Sequence, residues 1–323
     1  MKAIVQDTYG APEVLELRDI DTPAVGDDEV LVRVRAAAVN PADWAIMGGL
    51  PYIARPVYGG LRKPKNRVRG TDVAGEVEAV GTSVTRFRPG DAVFGWCTGA
   101  FAEYASVADD ALEPMPANLT FEQAAAAPLA GFVALQALRD KGKVRAGQKI
   151  LVNGASGGIG TFAVQLAKSF GADVTGVCST RNVDLVRSIG ADHVIDYTRE
   201  DFTQTGQRYD FILDNVGNHS LSDLRRALTA AGTLVPNSGG FDNRWLASLG
   251  RVVSALVVSP FVSQTLRPFV MSPKHADLVV LKDLMEAGKV TPVIDRTYPL
   301  SEVSQALGYV GGGHARGKVV ITV

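Results

Sequence analysis

The chain has 323 residues, a formal net charge of −1 and 46% hydrophobic residues, a composition that suits a globular protein of two domains at roughly 100–200 residues each. Near-neutral charge excludes a dedicated nucleic-acid binder, and two cysteines, Cys97 and Cys178, exclude a disulfide framework and a cysteine-rich metal site. The densest basic run, 62–69 (RKPKNRVR), reads as a solvated loop, and a strand-like start with an acid already at Asp7 does not read as a targeting peptide, so a reducing cytoplasm is expected.

In chain order, 29–35 (EVLVRVR) and 73–80 (VAGEVEAV) alternate apolar and charged positions between Gly, Pro and Asp turns. That pattern predicts an antiparallel, half-exposed sheet or barrel. From Thr120 the texture turns helical, and Thr120 with Gln123 has capping-box spacing. The run 149–160 (KILVNGASGGIG) then joins a short apolar strand to a glycine-rich turn and a helix over 162–170. Strand-length runs at 174–178, 193–197, 209–215 and 232–236, alternating with helical patterns at 183–189 and 220–229, predict parallel βαβ units. The apolar stretch 252–271 is broken by Pro260 and Arg267, whereas a membrane span needs about 20 largely uncharged residues. It reads as a buried helix pair or a subunit contact. The tail 293–323 returns to strand-like texture and is expected to rejoin the first domain.

The turn reads as Ala155-x-Gly157-x-x-Gly160, a dinucleotide fingerprint with alanine at its first position. Ala155, Ser156, Gly157, Gly158, Ile159 and Gly160 thus become candidate phosphate-binding positions, with helix N-terminal amides facing the anion. Ligands of parallel sheets bind beyond the carboxyl ends of the strands. This adds Ser179 and Thr180, Val216, and Ser238 from the ends of successive runs.

Taken together, 39–43 (VNPAD), 70–81 (GTDVAGEVEAVG), 87–95 (FRPGDAVFG), the glycine turn and 190–197 (GADHVIDY) resemble the medium-chain dehydrogenase/reductase superfamily, in its zinc-free quinone oxidoreductase-like branch. The resemblance runs over essentially the whole chain. It implies an α/β protein: a GroES-like β-rich catalytic domain over 1–122, completed by 291–323, and a Rossmann doubly wound parallel-sheet domain over 123–290, with a cleft where NAD(P)H meets a substrate. It also implies a homodimer. Zinc members hold the metal with two Cys and one His. The matching positions here are Asn40, Thr71 and, by a less secure alignment, Leu129, so no metal is expected.

An NAD-preferring site places an acid about 20 residues beyond the glycines. Here 174–181 ends in Ser179, Thr180 and Arg181 with no acid before Asp184, which points to NADPH. Tyr197 resembles a residue lining the same pocket, and Lys318 resembles a family lysine that approaches the nucleotide or cleft; a salt bridge is the plainer reading of Lys318. Hydride transfer to a small-molecule quinone or α,β-unsaturated carbonyl is the expected chemistry. Asn40 reads equally as a residue holding the nicotinamide or acceptor carbonyl or as the turn former of an Asn-Pro pair, and Tyr52 reads equally as packing or as a substrate contact. Asp43 and Asp72 read as orienting or purely structural acceptors. A second reading, from another class, is an NADPH-binding redox sensor or partner-binding protein with little turnover.

Overall fold

Eleven residues, Glu29–Val39, with valine at every second position from Val30 to Val34 followed by three alanines, form the strand that organises the first half of the chain. The computed structural model describes residues 1–58, 60–237, 254–255, 257–259 and 262–323. These divide into two units, Met1–Ala130 with Pro273–Val323, and Gly131–Ser272. The first unit opens with β1 (Lys2–Gln6), β2 (Leu15–Asp19), β3 (Glu29–Val39), β4 (Asp72–Val80), β5 (Ala92–Trp96), β6 (Tyr104–Ala108) and β7 (Leu112–Pro114). The second contributes β8 (Lys149–Asn153), β9 (Asp173–Cys178), β10 (His193–Asp196), β11 (Tyr209–Asp214), β12 (Leu228–Pro236) and β13 (Thr265–Leu266). The chain then returns to the first unit for β14 (Ile294–Pro299) and β15 (Lys318–Thr322).

In the first unit β1 and β2 form an antiparallel ribbon, and a seven-stranded sheet runs β14-β15-β3-β4-β5-β7 with β6 also on β3. Its pairings are antiparallel except for β14 with β15. The inward positions of β3, including Val30, Val32, Val34 and Val39, pack with Val73, Val93, Phe101 and Ile321 in one apolar core. The tail is less uniformly extended than its texture predicts. A helix, Val303–Gly311, lies between β14 and β15 and buries Val303, Ala306 and Leu307.

The second unit is a parallel sheet in the order β10-β9-β8-β11-β12-β13. Strand order reverses at β8, where β9 and β10 extend to one side and β11 to β13 to the other, the doubly wound arrangement. Helix Gly158–Ser169 follows β8 and buries Phe162, Ala163, Val164, Leu166 and Ala167. The helix predicted over 220–229 is shorter, Leu221–Arg226. Leu228 leaves it to pair with Tyr209 as the first residue of β12, and its side chain joins the core. Of the apolar stretch 252–271, Thr265 and Leu266 form the sheet-edge strand β13, and part of the stretch lies outside the described residues. No helix among the described residues is long and apolar enough to cross a membrane.

Candidate functional site

Three strand ends meet at one edge of the first unit's sheet. Val39 closes β3 opposite Val319, and Ala38 faces Asp72 at the start of β4. Asn40, Asp72 and Lys318 are thereby brought together from opposite ends of the sequence. Lys318 Nζ donates to Asn40 Oδ1 at 2.5 Å and to Asp72 Oδ2 at 3.2 Å. Asn40 Nδ2 donates to the same Asp72 oxygen at 3.0 Å, and the Leu129 amide donates to Asp72 Oδ1 at 3.1 Å. The three side chains are buried, with Asp72 completely so.

A second carboxyl stands beside this triangle. Asn40 begins the helix Pro41–Gly48, and the Asp43 carboxylate accepts from the Asn40 amide at 2.8 Å and from the Thr71 hydroxyl at 2.9 Å. The Asp43 carboxylate is thus the acceptor that holds the helix start against β4. Burial pushes the Asp43 carboxyl up to about 6, against the lowering effect of those two donors. Burial also raises the Asp72 carboxyl, while the Lys318 ammonium pulls it back. Cys97, whose amide bonds the Thr71 carbonyl, has its thiol pushed up to about 12, chiefly by burial and then by Asp72 and Asp43. At neutral pH it is a thiol and a poor nucleophile.

Asn40, Thr71 and Leu129, aligned from the sequence with zinc-ligand positions, therefore do converge, and they do so around two carboxylates and an ammonium. Tyr52 belongs to a different group. The Arg55 guanidinium lies 4.4 Å from the Tyr52 ring centroid and 4.5 Å from that of Tyr9, and Arg55 Nε donates to the Gly49 carbonyl at 2.9 Å. The basic run 62–69 is solvated except at its end: Arg62, Lys63, Lys65 and Arg67 are exposed, whereas Arg69 is buried. Its backbone explains this, since Arg69 N bonds the Ile4 carbonyl and the Phe101 amide bonds Arg69 O, which draws the residue between two strands.

In the second unit the glycine turn lies at the carboxyl end of β8. The Gly154 and Ala155 amides bond the Val177 carbonyl, and Gly157 caps the helix. A Cβ on Gly160 would fall 2.1 Å from the Gly154 carbonyl oxygen, so Gly160 is required for the helix to press against the turn. A Cβ on Gly157 would meet nothing nearer than 3.5 Å. Internal packing does not explain that glycine.

Ser156, Ser179, Thr180, Arg181, Tyr197 and Val216 all follow strands at this same end of the sheet; Ser238 lies outside the described residues. Val216 packs over the turn, where its Cγ2 would be 2.8 Å from a Cβ on Gly154. Arg181 and Tyr197 are exposed. Asn182 joins two of the candidates, its Nδ2 donating to Ser156 Oγ at 3.0 Å and Ser179 Oγ at 3.2 Å. Asn182 Oδ1 and Asn215 Nδ2 are buried without hydrogen-bond partners. Two orphaned polar atoms beside an open glycine turn fit a bound polar ligand.

Sequence reading missed Asp196. It ends β10 opposite Cys178 and accepts the Thr180 hydroxyl at 2.6 Å, so Thr180 spends its proton on the protein. Asp196 also accepts from the Thr198 amide and hydroxyl and lies 3.5 Å from Arg199. The Thr180 bond is the main cause holding its carboxyl below the usual range. An acid on the neighbouring strand leaves no trace in a search confined to 174–184.

Two family models match the chain. The family described as alcohol dehydrogenase GroES-like domain matches residues 26–117, and that described as zinc-binding dehydrogenase matches 189–321. The chain is 34% identical to the chloroplastic quinone-oxidoreductase homolog of Spinacia oleracea, across 99% of this chain and 98% of that one. It is also 34% identical to the chloroplastic NADPH-dependent alkenal/one oxidoreductase of Arabidopsis thaliana, across 99% and 79%. The structure of the quinone oxidoreductase from Coxiella burnetii superimposes with a TM-score of 0.87 at 32% identity, covering 100% of this chain and 99% of that one. The chain belongs to the medium-chain dehydrogenase/reductase family, in its quinone oxidoreductase-like branch, with a GroES-like unit and a Rossmann unit.

Proposed function

We propose that this protein is a zinc-independent, NADPH-dependent reductase of quinones or α,β-unsaturated carbonyl compounds. That it is an oxidoreductase taking a nicotinamide cofactor follows from its relatives; the acceptor, the preference for NADPH and the independence from zinc are the reading argued here. The observation that carries it is the buried Asn40–Asp72–Lys318 triangle. At the positions aligned with zinc ligands stand an amide, a hydroxyl and an aliphatic residue, none of them a usual zinc ligand. The neighbouring carboxylate Asp72 already has an ammonium as its cation. Without a Lewis acid to acidify an alcohol, alcohol oxidation is a poor assignment, while reduction of a polarised acceptor needs no such help.

The cofactor, when bound, supplies the hydride. The chain's own work is orientation. The turn from Ala155 to Gly160 receives the pyrophosphate, Ala155 and Gly157 spending their own amides on the Val177 and Gly154 carbonyls to hold its shape and the helix N-terminus facing the anion, and Val216 borders the turn. Ser179 and Arg181 receive the adenosine 2′-phosphate. Asp196 does not oppose this, because its oxygens are taken up by Thr180, Thr198 and Arg199. Asn40, held between Lys318 and Asp72, offers a carbonyl the Nδ2 hydrogen that otherwise makes only a long 3.4 Å bond to the Ala38 carbonyl; Asp43 fixes the Asn40 backbone; Tyr52 contacts the acceptor. Lys318 acts through Asn40.

NADPH oxidation against a panel of quinones, enones and aldehydes, with KM compared for NADPH and NADH, tests the proposal. Turnover with quinones or enones and a lower KM for NADPH are expected. Tight NADPH binding without turnover on any acceptor would establish the sensor reading instead.

A further inference from the structure

Arg69 is 8% exposed, yet its Nε has no hydrogen-bond partner, and its side chain makes a single protein hydrogen bond, from Nη2 to the Asn66 carbonyl. Among the described residues no carboxylate lies within ion-pair distance of it. Asp43 and Tyr9 are the groups whose charge it feels, Asp43 more strongly. Of the other ionised groups beside Asp43, Asp72 and Lys318 neutralise each other. A guanidinium has five N–H donors and does not lose its proton. Burying it with Nε unspent and no carboxylate paired to it is costly unless an anion completes the site. Next to it Gln6, completely buried, spends its Nε2 on the Thr8 and Met47 carbonyls and leaves Oε1 without a partner. The pairing of residues 4–6 with 67–69 sets these two unsatisfied side chains on neighbouring strands, since Gln6 N bonds Arg67 O and Arg69 N bonds Ile4 O.

We propose that Arg69 is the anion-receiving residue of an acceptor site in the first unit, taking the acceptor oxygen that becomes negative on reduction. This rests on the reductase reading above. In that reaction the hydride's electron pair forms a C–H bond at the acceptor's β-carbon. The C=C π pair moves to form the enolate C=C, the carbonyl π pair moves onto oxygen, and the nicotinamide is oxidised. The enolate then takes one proton from solvent. For a quinone the same shift leaves a ring enolate, which becomes the hydroquinone monoanion when the ring carbon that took the hydride gives up a proton and the remaining carbonyl oxygen gains one. The unpartnered Arg69 Nε–H is the donor for the oxygen where this charge collects, and a fixed cation there stabilises the transition state more than the neutral acceptor. A hydroxyl on the reduced product also has a proton for Gln6 Oε1.

The test uses a stable oxyanion as well as turnover. 4-Nitrophenolate is titrated into the full-length protein at a pH where it is ionised, followed by its visible absorbance, for wild type, Arg69→Gln and Arg69→Lys. Wild type binds it, Arg69→Gln weakens binding about 10- to 100-fold, and Arg69→Lys recovers part of the loss. In turnover, the Arg69→Gln penalty on kcat grows with the basicity of the product oxyanion across the acceptor panel, and added guanidinium restores part of it. A merely structural arginine would lower every acceptor equally and would leave phenolate binding untouched in the lysine and glutamine variants alike. Failure of wild type to bind the phenolate, or equal binding by wild type and Arg69→Gln, overturns the assignment. So does an ordered water that bridges Gln6 Oε1 and Arg69 Nε and stays in place with phenolate bound. Phenolate binding that depends on Arg69, without turnover on any acceptor, leaves the anion site standing and counts against the reductase reading alone.

Discussion

Lys318 and Asp72 stand 246 residues apart in sequence and 3.2 Å apart in space, with side chains 3% and 0% exposed. The pair closes the chain on itself, because β15 reaches Asp72 only by pairing with β3. Removing one member of a buried ion pair strands the other, at about 3–5 kcal/mol. Lys318→Met is therefore expected to lower the denaturant midpoint of the first unit by that order. Lys318→Met with Asp72→Asn is expected to recover most of the loss: the new amide still accepts from Leu129, and Asn40 is free to turn its own amide over. If the double variant is no more stable than the single one, the stranded charge is not the source of the loss.

Asp43 gives the protein a pH-dependent term of unusual sign for a carboxylate. Its folded value, about 6, lies above the ordinary 3.8, so the folded state holds the proton more tightly than the unfolded chain. The stability this supplies is fully present below the ordinary value and is lost as pH rises through about 6, on the order of 3 kcal/mol across the window. Asp7, Asp192, Asp196 and Asp201 are lowered and act in the opposite direction, losing stability as pH falls. The difference between wild type and Asp43→Asn isolates the term. Chemical denaturation from pH 4 to 7 should show the wild type losing stability relative to the variant as pH rises. Curves that stay parallel would place the Asp43 carboxyl near its ordinary value.

Regular periodicity made most of the parallel sheet readable in the sequence: β8 to β12 each carry a short apolar run and the glycine turn sits at the switch point, whereas the two-residue edge strand β13 lies in a stretch that reads as a buried helix pair or a subunit contact. The family and its α/β fold were equally readable, because the motifs recur in a fixed order. What sequence could not supply was distance. Arg69 lies at the end of a basic run and looks solvated until its backbone is found paired on both sides. Asp196 bears on Thr180 only because β9 and β10 are neighbours. Leu228 continues a helical pattern but is pulled into a strand by its place opposite Tyr209, a tertiary override of local preference.

Selection at the nucleotide's 2′ position is expected to follow the charged side chains at the ends of β9 and β10. Arg181 is exposed at the end of β9, whereas Asp196 is held by Thr180, Thr198 and Arg199. Arg181→Ala is expected to raise KM for NADPH about 10-fold while leaving KM for NADH within about twofold, as loss of a charge-assisted phosphate contact requires. Thr180→Val should act in the same direction, for a different reason. It frees one Asp196 oxygen to repel the phosphate and to accept a ribose hydroxyl, so KM for NADH should fall. Steady-state kinetics with both nucleotides checks each variant, and an unchanged KM ratio in both would remove this strand end from cofactor selection.

Gly157 and Gly160 separate ligand binding from folding within a single turn. Alanine at Gly160 puts its Cβ 2.1 Å from the Gly154 carbonyl oxygen, a backbone atom that cannot move without shifting the helix off the sheet. Gly160→Ala is expected to destabilise the second unit by about 1–3 kcal/mol, the usual cost of overpacking. Alanine at Gly157 meets ordinary contact distance at 3.5 Å, and Gly157 has no positive φ to strain a side chain. Gly157→Ala should melt within about 1 °C of wild type yet bind NADPH at least tenfold more weakly, because the methyl group occupies the ground where the pyrophosphate approaches the helix N-terminus. Thermal melts alongside fluorescence titration with NADPH give both numbers from one preparation. A Gly157→Ala protein that binds NADPH as tightly as wild type would mean that the phosphates do not pass over this turn.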